Sequence, residues 1–375
     1  MTTPAFDYGN PTEIVFGDGA VARIGACGAR LGRRALLVCG RTAMRRHGIL
    51  DRVIRSLRDA DVEVVVFDDV SPDPRSDEVE AALDLCRGEG CDLLVGLGGG
   101  SALDAAKAAS VAIALPAVAD AIGATLDHDE ASLPVLAIPT TAGSGAEVTR
   151  GAIVTDVVKG FKAGIRGPDV FPDIAVVDPG LSASMPFEVA AETGFDALTH
   201  AVETYVARRA NPLTEIVSER ALRLLGPALA RLGAGRIDAE LRARLSLAAL
   251  YGGLAVAAAG TCLPHRLQQA TGSVPGFHLS HGRGLAALYP AWLRAAYPYA
   301  PGRFDRVAEL LGCADVAVAG EAVIEELGLG GGLRAHDFPA AGVERCLDGV
   351  SGNVDNDPID AIDRDLMRRI YTESL

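Results

Sequence analysis

The strongest constraint in this 375-residue sequence is a change of rhythm near Asp178-Pro179. Before it, short β-rich runs alternate with helical stretches. Ala35–Cys39 reads ALLVC, Glu63–Phe67 reads EVVVF, Asp92–Leu97 reads DLLVGL and Val135–Ile138 reads VLAI, each followed by Gly, Pro, Asp or Ser. Helical patterns lie between them at Asp77–Gly88 and Ser101–Leu115, the second stopped by Pro116. Strands that alternate with helices predict a mostly parallel sheet covered on both faces. After the change, Pro186–Arg208, Leu213–Leu232 and Ala239–Ala259 read as long Ala- and Leu-rich helices. Phe304–Leu375 also reads helical, broken at Gly328–Gly332. The chain is therefore expected to form an α/β domain over residues 1–180 and an all-α domain over residues 181–375.

Composition excludes several classes. Hydrophobic residues at 49% and charged residues at 22% are ordinary for a globular protein. A net charge of -14 argues against a nucleic-acid partner, because a phosphate backbone demands a basic face. No uninterrupted apolar run reaches the length of a membrane span; the nearest, Ser110–Ile122, contains Pro116 and Asp120. Met1–Tyr8 has neither a basic start nor an apolar run, so no secretion signal is expected. The seven cysteines form no CxxC pair, which suits reduced thiols in a cytoplasm, each acting as a small buried hydrophobe.

Two turns carry ligand chemistry. Gly98-Gly99-Gly100-Ser101 follows an apolar strand and opens a helix. Glycine there lets the backbone approach a phosphate, and free helix-start N–H groups face the anion. A bare strand-to-helix turn needs only one or two glycines. The spacing is not GxGxxG, because Leu103 stands where that pattern wants glycine. A second turn, Pro139-Thr140-Thr141-Ala142-Gly143-Ser144-Gly145, suits sugar and phosphate contacts, with a helix cap by Ser144 or Thr141 as the compatible alternative.

Asp196 and His200 stand four residues apart in a helical pattern and project from one face. Such a pair is often a plain hydrogen bond. His265 and His281 lie in or beside the next apolar helices, and three imidazoles with one carboxylate would suit Zn2+ or Fe2+.

These residues resemble the iron-containing (group III) alcohol dehydrogenases, a dehydroquinate synthase-like fold. The resemblance rests on Phe16-Gly17, GGGSALDAAKA at Gly98–Ala108, PTTAGSGAEVT at Pro139–Thr149, FPDIAVVDP at Phe171–Pro179, FDALTHAVE at Phe195–Glu203 and HGRGLAALYP at His281–Pro290. It implies an N-terminal domain that binds NAD(P) and a helical domain that carries the metal. Gly98, Gly99, Gly100 and Ser101 match the pyrophosphate cradle, and Thr140, Thr141 and Ser144 match positions by the adenosine side and phosphates. Asp104 matches an aspartate pointing to the nicotinamide end, Lys162 a lysine near the ribose, and Asp196, His200, His281 and His265 the metal ligands. A homodimer or larger assembly with paired sheet edges is implied too.

The chain departs from that family in places. The loop Thr271–Ser280 between the last two histidine ligands is longer, and it contains His278 as a competitor for the metal. Gln269 stands where many members carry a histidine, so the usual proton relay is missing and protons would pass through water or His278. Gly40 replaces the aspartate of strict NAD users, with Arg41, Arg45 and Arg46 nearby, which predicts NADP(H) preference. The expected reaction is reduction of a small aldehyde to a primary alcohol, the substrate bearing an acid group if Arg150 or Arg266 meets it. The rival readings are a maleylacetate reductase, a dehydroquinate-synthase-like lyase and a metal-free dinucleotide-binding protein.

Overall fold

In the computed structural model, which describes residues 5–127 and 132–375, the chain divides into two units. One comprises residues 10–141 and 145–185; the other comprises residues 5–9, 142–144 and 186–375.

The first unit is built on a six-stranded parallel sheet. Its strands are β1 (Glu13–Phe16), β2 (Arg34–Gly40), β3 (Glu63–Val70), β4 (Leu93–Gly98), β5 (Val135–Pro139) and β8 (Ile174–Val177), in the order β1-β8-β5-β4-β2-β3. Every residue of β4 and β5 is buried, as continuous apolar runs require when helices cover both faces. Period-two alternation divides the core. Leu36, Val38 and Leu94 pack with α4 (Ser76–Glu89) and α5 (Gly100–Val111), whereas Leu37, Leu93 and Val95 pack with α1 (Ile24–Leu31) and α3 (Ile49–Arg58). A four-residue helix α2 (Ala43–Arg46) precedes α3. The antiparallel hairpin β6 (Gly151–Asp156) and β7 (Phe161–Arg166) lies outside the sheet and was not anticipated.

The helix expected over Ser101–Leu115 ends at Val111 and tightens into a 3-10 turn at Ala112–Ala114. Pro116 disfavours α geometry at the preceding residue. Arg87 donates to the carbonyls of Ala112, Ile113 and Leu115, so the shortened end is still satisfied.

The second unit is all helix: α6 (Phe187–Val206), α7 (Pro212–Gly233), α8 (Ala239–Ala259), α9 (Leu263–Ala270), α10 (His281–Ala296), α11 (Pro301–Leu311), α12 (Val316–Glu326), α13 (Gly342–Gly349) and α14 (Arg364–Glu373). Asn211 caps α7 by accepting from the N–H of Leu213 and Thr214, and Asp238 caps α8 through Leu241. At 21 residues and a mean hydropathy of 1.2 over its most apolar stretch, α8 is long and apolar enough to cross a membrane by length and composition alone, although Glu240, Arg242 and Arg244 interrupt its apolar run. Here Leu241, Leu245, Ala248 and Ala249 of α8 are buried inside the unit. All seven cysteines are free; six are buried, but Cys313, just past the left-handed Gly312 that ends α11, is exposed rather than a core residue.

Candidate metal centre and dinucleotide turns

Three helices of the second unit converge on one carboxylate. From Gly194 to Val206 every residue of α6 is buried, and Asp196, His200 and Glu203 fall at i, i+4 and i+7 on one face. His265 is the third residue of α9, and His281 is the first of α10. Gly282 lets α10 reach α6: a Cβ there would lie 2.4 Å from the Glu192 carbonyl oxygen. This close approach is the physical reason for glycine directly after His281.

Asp196 Oδ1 lies 3.6 Å from His200 Nε2, 3.6 Å from His265 Nε2 and 3.5 Å from His281 Nε2. These gaps are too long for hydrogen bonds. They match the edge of a tetrahedron around an ion with bonds of about 2.1 Å, for which ligand atoms sit about 3.4 Å apart. Ligand atoms of Asp196, His265 and His281 all lie within 4.8 Å of one another, and His200 joins them through Asp196 and through ring stacking on His265 at 4.8 Å. Asp196 Oδ1 and His265 Nε2 are buried without a hydrogen-bond partner among the described residues. Orphaned buried acceptors are costly unless a cation satisfies them, so this donor set fits a divalent metal.

The other ring nitrogens are held by acceptors. His265 Nδ1 meets both Glu203 oxygens at 2.9 and 2.8 Å, His281 Nδ1 meets Gln268 Oε1 at 2.6 Å, and His200 Nδ1 meets the Gly143 carbonyl at 3.4 Å. With Nδ1–H donating outward, each Nε2 lone pair turns inward. Burial would push Asp196 up, yet the surrounding imidazoles of His200, His281 and His265 hold it well below the usual carboxylate range. Burial pushes His200 down towards the neutral form, against Asp196. For His265 burial acts downward, but Glu203 and Asp196 overcome it and raise the imidazole to about 9. His281 alone of the four keeps substantial exposure, 30% of its side chain, so the cluster is open on that side.

In the first unit the two turns are neighbours. Gly98 of β4 is in register with Pro139 of β5, and the Thr140 N–H donates to the Gly98 carbonyl at 2.8 Å. Gly98 has φ +149°, and a Cβ there would lie 2.9 Å from that of Ala102. Gly99 precedes α5 and faces Thr141. Gly40 ends β2, on the other side of β4. The chain reverses its direction of travel across the sheet between β2 and β4, and such switch points are where open α/β sheets bind ligands.

Family models match both halves: the iron-containing alcohol dehydrogenase model over residues 11–179, and the C-terminal model of the Fe-containing alcohol dehydrogenase family over residues 190–366. A choline dehydrogenase of Bacillus subtilis (strain 168) is 34% identical over 311 residues, covering 80% of this chain and 75% of the relative. An NAD-dependent methanol dehydrogenase of Bacillus methanolicus is 32% identical over 302 residues, covering 80% and 79%. The crystal structure of an archaeal halo-thermophilic Red Sea brine pool alcohol dehydrogenase superposes with a TM-score of 0.93 at 26% identity, covering 100% of both chains.

The chain belongs to the iron-containing alcohol dehydrogenase family. This dehydrogenase is an NAD(P)-dependent oxidoreductase acting on small alcohols or aldehydes, and the rival readings are not favoured. Several residues of the site escaped sequence reasoning. Glu203 stands inside the FDALTHAVE stretch, and its i+7 spacing from Asp196 was the signal for it. Gln268 gave none, because it acts only once α9 and α10 approach. Asp73 links two expected cofactor residues: its N–H donates to Ser101 Oγ at 3.2 Å, and Lys162 Nζ donates to its carboxylate at 2.6 Å. Asp104 accepts the Ile153 N–H at 3.0 Å, and burial pushes its carboxyl up against the pull of Lys107. Ser144 groups with the helical unit, apart from Thr140 and Thr141.

Other positions correct the reading. Arg41 is ion-paired with Asp69 and Glu78, and Arg45 with Asp68, so neither is a free cation beside Gly40. Asp68 and Asp69 lie just before the last residue of β3, Val70, and no local signal tied them to the β2 turn. His278 is exposed and outside the ligand cluster. Arg266 is buried and donates to Thr261 Oγ1 at 2.8 Å, whereas Arg150 is exposed.

Proposed function

We propose that this dehydrogenase reduces small aldehydes to primary alcohols with NADPH, using one Fe2+ or Zn2+ held by Asp196, His200, His265 and His281. The observation that carries this reading is the buried, orphaned Asp196 oxygen ringed by three Nε2 atoms. When bound, the ion polarises the substrate oxygen as a Lewis acid and the dinucleotide supplies the hydride. The chain's own residues prepare that chemistry. Glu203, Gln268 and the Gly143 carbonyl fix the tautomers, so the imidazoles present lone pairs without reorganising. Asp196 stays anionic and balances part of the ion's charge.

Gly98, Gly99, Gly100 and Ser101 serve the pyrophosphate, where φ +149° at Gly98 supports the need for glycine. Thr140, Thr141 and Ser144 serve the phosphates and adenosine side, Lys162 the ribose, and Asp104 the nicotinamide end. Gly40 leaves room for a 2′-phosphate and adds no carboxylate to repel one, which supports NADP(H) even though Arg41 is already paired. Gln269 does not titrate near neutrality, so protons exchange through water. The free thiols fit a cytoplasmic setting. β1 lies at the sheet edge with Ile14 and Phe16 exposed, which suits pairing with a second copy in a homodimer.

The test is initial rates with NADPH and with NADH at equal concentration, on a panel of short aldehydes, before and after chelation. Faster NADPH turnover that disappears with the metal fits this account. Turnover that survives complete metal removal refutes the metal's role, and strong NADH preference refutes the cofactor assignment.

A further inference from the structure

Two buried residues that the chemistry does not use, Asn356 and Asp357, lie 1% and 0% exposed between the elements that carry the metal ligands. The helix bearing His265 is poorly capped by its own sequence. α8 ends at Gly260, whose φ is +72°; the N-cap of α9, Cys262, offers no side-chain bond, and Pro264 has no N–H. The orphan donors at this start are met from elsewhere. Cys262 N–H donates to Glu203 Oε2 at 2.7 Å, and Leu263 N–H donates to Asp357 Oδ2 at 2.8 Å.

The same Asp357 oxygen accepts the indole N–H of Trp292 in α10 at 2.9 Å, so one atom ties the helix of His265 to the helix of His281. Asp357 Oδ1 accepts the Ile359 N–H at 3.1 Å. Asn356 Nδ2 donates to the carbonyls of Ala259 and Thr261 at 2.8 and 3.0 Å, closing the elbow between α8 and α9. Its backbone carbonyl and side-chain oxygen accept the N–H groups of Arg208 at 2.9 Å and Arg209 at 3.2 Å, just past the helix of Asp196 and His200. Arg208 Nε returns a bond to the Asp357 carbonyl at 2.7 Å. A chain segment 75 residues beyond the last ligand, His281, thus bonds to all three ligand-bearing helices or their ends.

We propose that Asn356-Asp357 is a clasp that sets the spacing of α6, α9 and α10, and that Asp357 is a positioning residue for His265 and His281. The inference rests on the metal reading given above. A group that orients ligands from behind typically controls affinity by about ten- to a hundredfold when removed.

The experiment is Zn2+ competition against a chromophoric chelator, with the visible spectrum of the Co2+-loaded protein as a second readout, on full-length chains. Asp357→Ala is expected to bind Zn2+ about tenfold or more weakly and to alter the Co2+ bands. Asp357→Asn keeps an oxygen for Leu263 and Trp292 and is expected to stay within about threefold of wild type. Val307→Ala, in the buried face of α11, serves as a control that loses stability without touching the clasp. If Asp357→Ala matches wild type, or is no weaker than Val307→Ala, the inference is overturned. If Asp357→Ala does not fold, Trp292→Phe removes one donor from the same oxygen; a smaller loss of affinity with altered Co2+ bands supports the clasp, and wild-type values overturn it. A wild-type chain that takes up no Zn2+ overturns the metal reading itself, and the clasp with it.

Discussion

Replacing Glu203 by glutamine changes one atom and breaks the logic of the His265 side of the site. Glu203 is fully buried and faces donors on both sides: His265 Nδ1–H at 2.8 and 2.9 Å, and Cys262 N–H at 2.7 Å. Glutamine has one acceptor oxygen and one NH2. Its NH2 must point at a donor, or His265 must adopt the other tautomer and turn an Nε2–H towards Asp196. Either way a charge-assisted bond is lost, worth about 1.5–3 kcal/mol. At about 1.4 kcal/mol per factor of ten, that is roughly a ten- to hundredfold loss of metal affinity. Chelator competition with Zn2+ on wild type and Glu203→Gln measures it, with thermal melts of the metal-free forms alongside. If Glu203→Gln loses thermal stability but binds Zn2+ as tightly as wild type, orientation of His265 by Glu203 is not what tunes the site.

Burial lifts Glu147 to about 7 from an ordinary 4.5. A raised carboxyl costs nothing below the unfolded value, then destabilises increasingly as pH rises through that window. Glu147→Gln should therefore gain little at pH 4 and about 3 kcal/mol above pH 8, read by denaturant melts at both ends; equal gains at both would refute the assignment. Gly98→Ala meets both a φ of +149° and the Ala102 methyl at 2.9 Å, so NADPH affinity should fall at least about tenfold while metal content is unchanged. Fluorescence titration and elemental analysis of the same sample separate those effects. Gly40→Asp should shift preference towards NADH by about tenfold or more in the ratio of kcat/KM values, by repelling a 2′-phosphate; an unchanged ratio would place cofactor choice elsewhere.

Long periodic elements were legible because one helix face or one strand repeats a local pattern. Ala239–Ala259 forms a helix with the bounds its composition suggests, and Asp196 and His200 share a face because 3.6-residue periodicity puts them there. β1 and β8 were not read as strands: each has four residues, and each pairs with the other across some 160 residues of chain. The β6–β7 hairpin turns through Val157–Gly160, without the Asn-Gly or Asp-Gly pair that marks tight hairpins. Arg41 looked like a free cation because Asp69 and Glu78 reach it only after β2 and β3 pair. Asn356 and Asp357 sit in a stretch with no periodicity, and their partners in and beside the ligand-bearing helices lie 65 to 149 residues away. What sequence could supply were the candidate ligands; the groups that would orient them depend on helices meeting in space.

The central claim is that one divalent ion sits among Asp196, His200, His265 and His281. Elemental analysis of the purified chain, with His281→Ala in parallel, addresses it most directly. The account predicts about one iron or zinc per chain, lost or sharply reduced in the variant, whose helices remain folded. A wild-type protein without metal after purification in air, and without uptake on anaerobic reconstitution, would contradict it.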